Sequence, residues 1–185
     1  MKILITGIGI VGKSTLRRQL VQLFRSLQWP VAHFDADNFI TTRHPIDRDC
    51  AEPKTFAEGT FYFIEDVHGT GGGAREPLEK YDLIIYVQAS LITHSLFLIS
   101  RGWQWYKNGN YDFDQQTGWK GTAQRSDWRN LIPIVKNCLR ILIRRQVWID
   151  QDHSALSKAR TIKVLAHWTP DGPEFSLLPT LNKTI

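Results

Sequence analysis

A nine-residue segment near the start of the chain constrains the fold more than any other feature. Its sequence fits the pattern G-x-x-x-x-G-K-[ST] of the phosphate-binding P-loop, or Walker A motif. The segment consists of Gly7, Ile8, Gly9, Ile10, Val11, Gly12, Lys13, Ser14 and Thr15. An apolar run at 2–6 predicts a buried strand before it, and leucines at helical spacing over 14–28 predict a helix after it. Because the motif requires this strand–loop–helix context, the segment predicts a nucleoside triphosphate site.

The chemistry of the motif assigns a role to each part of the loop. Glycines let the backbone curl around an anion, and the first turn of the following helix adds N–H donors and the positive end of its dipole. Lys13 is expected to reach the β- and γ-phosphates, and the Ser14 hydroxyl is expected to bind Mg²⁺. The alternative is a glycine-rich strand-to-helix turn with a solvated lysine, which the agreement of the motif with both flanking elements disfavours.

Length and composition limit the class of protein. At 185 residues the chain suits one domain over 1–185 and is too short for two comfortable ones. The net charge of +5 suits anionic ligands but is too small to establish nucleic-acid binding. Cys50 and Cys138 lack metal-type spacing, the first strand leaves no room for a signal peptide, and no apolar run could span a bilayer. We therefore expect a cytoplasmic protein with no membrane partner.

Strands and helices alternate along the rest of the chain. Apolar runs predict four further strands, at 31–34, 61–64, 81–87 and 161–168. Helices are expected over 91–100, capped by Ser90 and stopped at Gly102, and over 131–149. After a turn, residues 174–178 are expected to return as an edge strand. This alternation predicts an α/β fold with a parallel sheet covered on both faces, that is, three α/β/α layers.

Acidic residues follow two of the predicted strands. Asp35 and Asp37 come after the second strand, and Glu65 and Asp66 come after the third. Since ligands of parallel sheets bind beyond the carboxyl ends of the strands, we expect these acids beside the P-loop. Asp37 is predicted to act as the base or to orient the acceptor, and Asp35 to support it or to contact Mg²⁺ through water. Either Glu65 or Asp66 is predicted to hold a Mg²⁺-bound water, and the sequence does not choose between them.

These assignments have plainer alternatives. Residues 35–38 also suit a turn with a helix cap, and the acids at 65–66 also suit an ordinary surface. The aromatic-rich segment 103–119 either stacks on a base or packs a flap onto the domain. A basic stripe on the long helix suits RNA or DNA, or is a solvated face. It consists of Arg129, Lys136, Arg140 and Arg144.

The P-loop, a second strand that ends in Asp-Ala-Asp-Asn and an apolar strand that ends in an acid resemble the small P-loop kinases. Residues 35–38 are similar to the pattern D-G-D-N of adenylylsulfate kinases, and uridine kinase-like enzymes share the same general arrangement. The resemblance covers about 1–150 and implies a P-loop NTPase fold with five parallel strands, ATP with Mg²⁺ as donor, and a lid that carries arginines at approximately 101–129. It implies a catalytic role for Arg101, with Arg125 and Arg129 as further candidates to close on phosphates.

The sequence therefore predicts a kinase that moves the γ-phosphate of ATP to a hydroxyl of a nucleoside, nucleotide or sugar-like compound. A polynucleotide 5′-hydroxyl kinase and a regulatory P-loop ATPase are the alternatives. The guanine-binding pattern N-K-x-D is missing, since Asn182-Lys183 is followed by the end of the chain. Unlike the family, the chain has no tight pair of lid arginines, so the sequence does not identify the acceptor. It also does not decide between ATP and GTP as donor, or give the oligomeric state.

Overall fold

The computed structural model describes residues 1–35, 56–66, 77–108, 128 and 131–178, with the backbone alone at Asp35 and Asn108. The described residues form six strands, and all but the last are short runs rich in β-branched and aromatic residues. They are β1 (Lys2–Gly7), β2 (Val31–Asp35), β3 (Phe61–Glu65), β4 (Leu83–Ala89), β5 (Thr161–Thr169) and β6 (Gly172–Leu177). The α-helices are α1 (Lys13–Ser26), α2 (Leu91–Asn108) and α3 (Leu131–Leu156), and a 3₁₀ helix spans Leu78–Lys80.

The six strands form one sheet in the order β2-β3-β1-β4-β5-β6. Neighbouring strands are parallel throughout, except that β6 returns antiparallel to β5. The α/β class, the mostly parallel sheet and the C-terminal edge strand are therefore confirmed. Because β1 lies between β3 and β4, the loop that follows β1 leaves the middle of the sheet's carboxyl edge, beside the ends of both neighbours.

Side chains of the central strands alternate between two apolar layers, as the period of a strand requires. One layer contains Ile3 and Ile5 of β1, and Leu16 of α1 packs against it. The other contains Leu4 of β1, together with Leu156 at the end of α3. Helical residues thus reach both faces of the sheet, and the complete three-layer arrangement stays a prediction. Among the helices that the structure describes, none is long and apolar enough to cross a membrane.

The second helix extends beyond its predicted end. Ser90 caps it as expected, because its Oγ accepts a hydrogen bond of 3.0 Å from the N–H of Thr93. The predicted stop at Gly102 is wrong, since α2 continues to Asn108. Gly102 is buried, and a Cβ there would lie 3.0 Å from Cγ2 of Ile134 in α3. This glycine allows two helices to approach each other; it does not end one.

The third helix also exceeds its predicted length. It begins at Leu131, so Pro133 lies in the first turn, where the missing N–H costs no hydrogen bond. It ends at Leu156 rather than at 149. The additional turns bring Asp152 and Leu156 into the buried part of the domain.

Candidate nucleotide site

The loop between β1 and α1 has the backbone of an anion cradle. Gly7 has a φ of 141° and Gly12 a φ of 86°, in the region that favours glycine, and Ile10 also has a positive φ, of 60°. A Cβ on Gly7 would lie 2.0 Å from the carbonyl oxygen of Val87, so no larger residue fits there. In contrast, a Cβ on Gly9 would meet nothing within 4 Å. The loop is therefore tight against β4 at its start and open at Gly9.

The start of α1 adds to this cradle. Gly12 is the N-cap and offers no side-chain hydrogen bond, and the first turn of α1 contains no acid. The first N–H groups of a helix have no intrahelical acceptor, and the helix dipole favours an anion next to them. The site therefore combines a glycine-rich loop with a helix N-terminus that is suited to phosphate.

Lys13 is 4% exposed, and its ammonium group lies within the loop. Nζ donates hydrogen bonds to the carbonyl oxygens of Gly7, at 3.1 Å, and Ile8, at 2.8 Å. The alternative of a solvated lysine is therefore wrong. From this buried position beside the carbonyls of the loop, the ammonium group is suited to bind a phosphate oxygen as a further ligand.

Three polar side chains meet beside the loop. Ser14 Oγ donates a hydrogen bond of 2.7 Å to Glu65 Oε1, at the end of β3. The other oxygen of this carboxylate lies 3.1 Å from Nε of Arg17, and both side chains are almost fully buried. A hydroxyl and a carboxylate are the hard oxygen donors that Mg²⁺ prefers, so these residues fit the cation. Within the described ranges no three His, Cys, Asp or Glu side chains come together as a possible metal site.

Two of the other predicted acids, Asp66 and Asp35, lie at the same edge of the sheet as Glu65. Asp66 is buried, and its N–H donates to the carbonyl oxygen of Ile5 at 3.1 Å. Asp35 ends β2 as the register partner of Glu65, so its backbone reaches the same edge of the sheet. The Asp35 side chain and all of Asp37 lie outside the described residues. The structure thus brings Glu65 to Ser14, while the catalytic and metal roles of all these acids stay predictions.

Sequence reasoning missed His94, which lies in the first turns of α2. It is fully buried, and its Nε2 donates a hydrogen bond of 2.9 Å to the carbonyl oxygen of Gly9. Burial lowers the pKa of His94 to about 4, the hydrogen bond to Gly9 opposes this shift, and the charges of Arg145 and Lys13 add to it. The imidazole is therefore neutral beside two cations. The one signal in the sequence is a single histidine in a mostly uncharged stretch of helix after a strand.

Polar groups of α3 also reach the region behind the loop. Nη2 of Arg145 donates to the carbonyl oxygen of Ala89 at 2.6 Å. Burial raises the pKa of Asp152, whereas the neighbouring Tyr86 hydroxyl and the charge of Lys13 lower it. Burial also raises the pKa of the Tyr86 hydroxyl. The Asp152 carboxyl therefore lies near enough to Lys13 for their charges to interact.

The predicted lid residue Arg101 lies in the second half of α2 and is exposed. Its Nη1 is 3.5 Å from Oε1 of Gln104, and its guanidinium carbon is 5.6 Å from the ring centre of Trp105. The first residues of the predicted lid, up to Asn108, are therefore helical. Residues 109–127, with Arg125, and residues 129–130, with Arg129, lie outside the described part of the chain. A role for Arg101 in catalysis stays a prediction.

Comparisons with protein families and with curated proteins find no match. Among solved structures, a similar chain is described as a possible uridine kinase from Bacillus stearothermophilus. It is 14% identical, with a TM-score of 0.35, and the match covers 62% of this chain and 86% of that one. At this level of similarity the neighbour says nothing of this chain's substrate, and any function has to be inferred from the chain's own residues.

Proposed function

We propose that this protein is an ATP-dependent kinase that transfers the γ-phosphate to a hydroxyl of a nucleoside, nucleotide or sugar-like compound. The observation that supports this most is the convergence of a buried Lys13 with the Ser14–Glu65 pair at one glycine-rich loop. That loop leaves the carboxyl edge of a mostly parallel sheet, where such folds bind their ligands.

The residues of the loop supply what a triphosphate needs. The N–H groups of the loop and of the first turn of α1 bind phosphate oxygens, and Lys13 neutralises their charge. Ser14 and Glu65 hold Mg²⁺, directly or through water, and the cation supplies charge neutralisation across the phosphates when it is bound. The ion pair with Arg17 keeps the Glu65 carboxylate in one orientation.

Transfer requires alignment and charge stabilisation more than covalent help from the protein. The acceptor oxygen forms a bond to the γ-phosphorus while the bond from this phosphorus to the β–γ bridging oxygen breaks, and ADP leaves. Asp37 receives or orients the hydroxyl proton, and Asp35 supports it. Arg101 adds positive charge near the transferring group. These three roles belong to the proposal.

The test measures ADP release with and without a panel of nucleosides, nucleotides, sugars and 5′-hydroxyl oligonucleotides. One small acceptor is expected to stimulate release and to appear as a phosphorylated product. Asp37→Asn is expected to abolish transfer and to leave ATP binding near normal. If only oligonucleotides stimulate ADP release, with a steep dependence on salt, the acceptor is the 5′-hydroxyl of a polynucleotide and not a small molecule. If no acceptor stimulates ADP release, or if only a protein partner does, the protein is a regulatory ATPase and the kinase proposal is wrong.

A further inference from the structure

Side chains of the protein bind three consecutive carbonyl groups of the loop. Nζ of Lys13 donates to the carbonyl oxygens of Gly7 and Ile8, and Nε2 of His94 donates to that of Gly9. Lys13 is a near neighbour of these groups in the sequence, whereas His94 is 85 positions from Gly9. The third contact therefore exists only because α2 packs beside the loop.

Each contact orients a whole peptide group. In a planar trans peptide the N–H points away from the C=O, and no cis bond occurs among the described residues. The Gly9 carbonyl, held toward the His94 imidazole, therefore turns the N–H of the following residue, Ile10, away from that imidazole. Successive N–H groups on one side form an anion-binding concavity.

His94 is suited to make this contact as a neutral donor. A carbonyl oxygen only accepts hydrogen bonds, so Nε2 must carry the hydrogen. The side chain is 0% exposed, and its Nδ1 is a buried atom with no hydrogen-bond partner among the described residues. A second proton would have neither solvent nor an acceptor, and it would lie close to Lys13 and Arg145. At neutral pH the imidazole of His94 is therefore uncharged, and its hydrogen is on Nε2, which donates to the Gly9 carbonyl.

We propose that His94 is a positioning residue of the nucleotide site, which holds the Gly9 carbonyl so that the N–H of Ile10 faces the bound phosphates. This role rests on the proposed function, since it requires a polyphosphate in the loop. His94 contacts the loop and not the acceptor. Its loss therefore raises the KM for ATP more than it lowers kcat.

The test compares three substitutions by calorimetric titration with MgATP. His94→Gln keeps an amide N–H at a similar reach, and its affinity is expected to stay within about 3-fold of the wild type. His94→Asn carries the same amide on a shorter side chain, and His94→Leu has no donor, so both are expected to weaken binding by about 10-fold or more. His167→Leu is the control, because this exposed histidine of β5 bonds to Ser176 instead of the loop. Hydrogen exchange of the amides at 8–12 is expected to accelerate in the Asn and Leu variants.

The outcomes separate this role from the proposed function. If the wild type binds MgATP and the Asn variant binds it as tightly as the Gln variant, the positioning role is wrong and the kinase proposal stands. If the wild type binds no triphosphate, both are wrong. Should the Leu variant fail to fold, the Gln and Asn pair still decides, because the two amides differ only in reach.

Discussion

The hydroxyl of Ser14 donates a hydrogen bond of 2.7 Å to Oε1 of Glu65, across 51 positions of sequence. The other oxygen of the same carboxylate lies 3.1 Å from Nε of Arg17, one turn further along α1. The helix that begins at the P-loop thus holds one strand-end acid with two side chains. The two cation ligands that we propose, Ser14 and Glu65, are in contact with each other.

Replacement of Lys13 by alanine is expected to weaken MgATP binding by about 100-fold or more. The reason is the loss of a charge-assisted hydrogen bond to phosphate in a buried site. Calorimetry with MgATP measures the effect, and Lys107→Ala, at an exposed lysine of α2, is the control. Binding by the Lys13→Ala protein within about 3-fold of the wild type would contradict the assignment of this ammonium.

Mg²⁺ is expected to increase the affinity for ATP, and Ser14→Ala is expected to make this increase about 10-fold smaller. The affinity for ATP in EDTA is expected to change by less than about 2-fold. The hydroxyl is proposed to bind the cation and not the phosphates, so its loss lowers the affinity for ATP only when Mg²⁺ is present. Titrations with and without EDTA measure both numbers. Ser26→Ala, at the exposed end of α1, is the control. An equal loss in both conditions would show that Ser14 serves the phosphates directly.

Glu65→Gln is expected to lower the free energy of unfolding by about 3 kcal/mol, because it removes the negative charge that lies 3.1 Å from Nε of the buried Arg17. Adding Arg17→Met should recover part of this loss. Urea unfolding of both single variants and of the double variant gives the coupling energy. Glu79→Gln, at an exposed acid, is expected to change stability by less than about 0.5 kcal/mol. Strictly additive effects at 17 and 65 would mean that the pair is not coupled.

The pKa of His94, lowered from 6.5 to about 4, predicts acid sensitivity. Above the unfolded value neither state binds the proton, so His94 has no effect on the pH dependence of stability there. Between about 6.5 and about 4 the unfolded chain binds a proton that the folded chain does not, so the free energy of unfolding decreases as pH falls. The loss is complete below about 4, where it reaches roughly 3 kcal/mol.

Urea unfolding at several values between pH 4 and pH 7.5 measures this dependence in the wild type and in His94→Gln. The comparison is needed because the raised pKa of Asp152 acts in the opposite direction, stabilising the fold as this acid takes up its proton. The difference between the two proteins isolates His94. Curves of equal slope would show that His94 binds protons alike in both states.

Gly7→Ala is expected to cost more than about 3 kcal/mol of stability, because a Cβ would lie 2.0 Å from the carbonyl oxygen of Val87 at a positive φ. The matched substitution Gly9→Ala meets nothing within 4 Å and is expected to cost less than about 1 kcal/mol. Thermal melting of the two variants under the same conditions compares them. Equal melting temperatures would mean that the loop adjusts around Gly7 without strain.

Prediction from sequence succeeded where the determining residues are contiguous. A strand, a glycine-rich loop and a helix follow one another within 2–26, so local spacing is enough to recognise them. The order of strands and helices likewise predicts the parallel sheet, since a parallel pair needs a crossover between its members. The predicted end of α2 is too early, because whether Gly102 ends the helix depends on what packs against that glycine.

The sequence by itself determined that this protein has a glycine-rich loop between a strand and a helix at the carboxyl edge of an α/β sheet. Tertiary structure alone decided that Glu65, and not its neighbour in sequence, contacts Ser14, and that His94 holds the loop at Gly9. The physical reason is that a motif specifies the conformation of its own backbone, whereas a hydrogen bond across 51 or 85 positions depends on how separate elements pack.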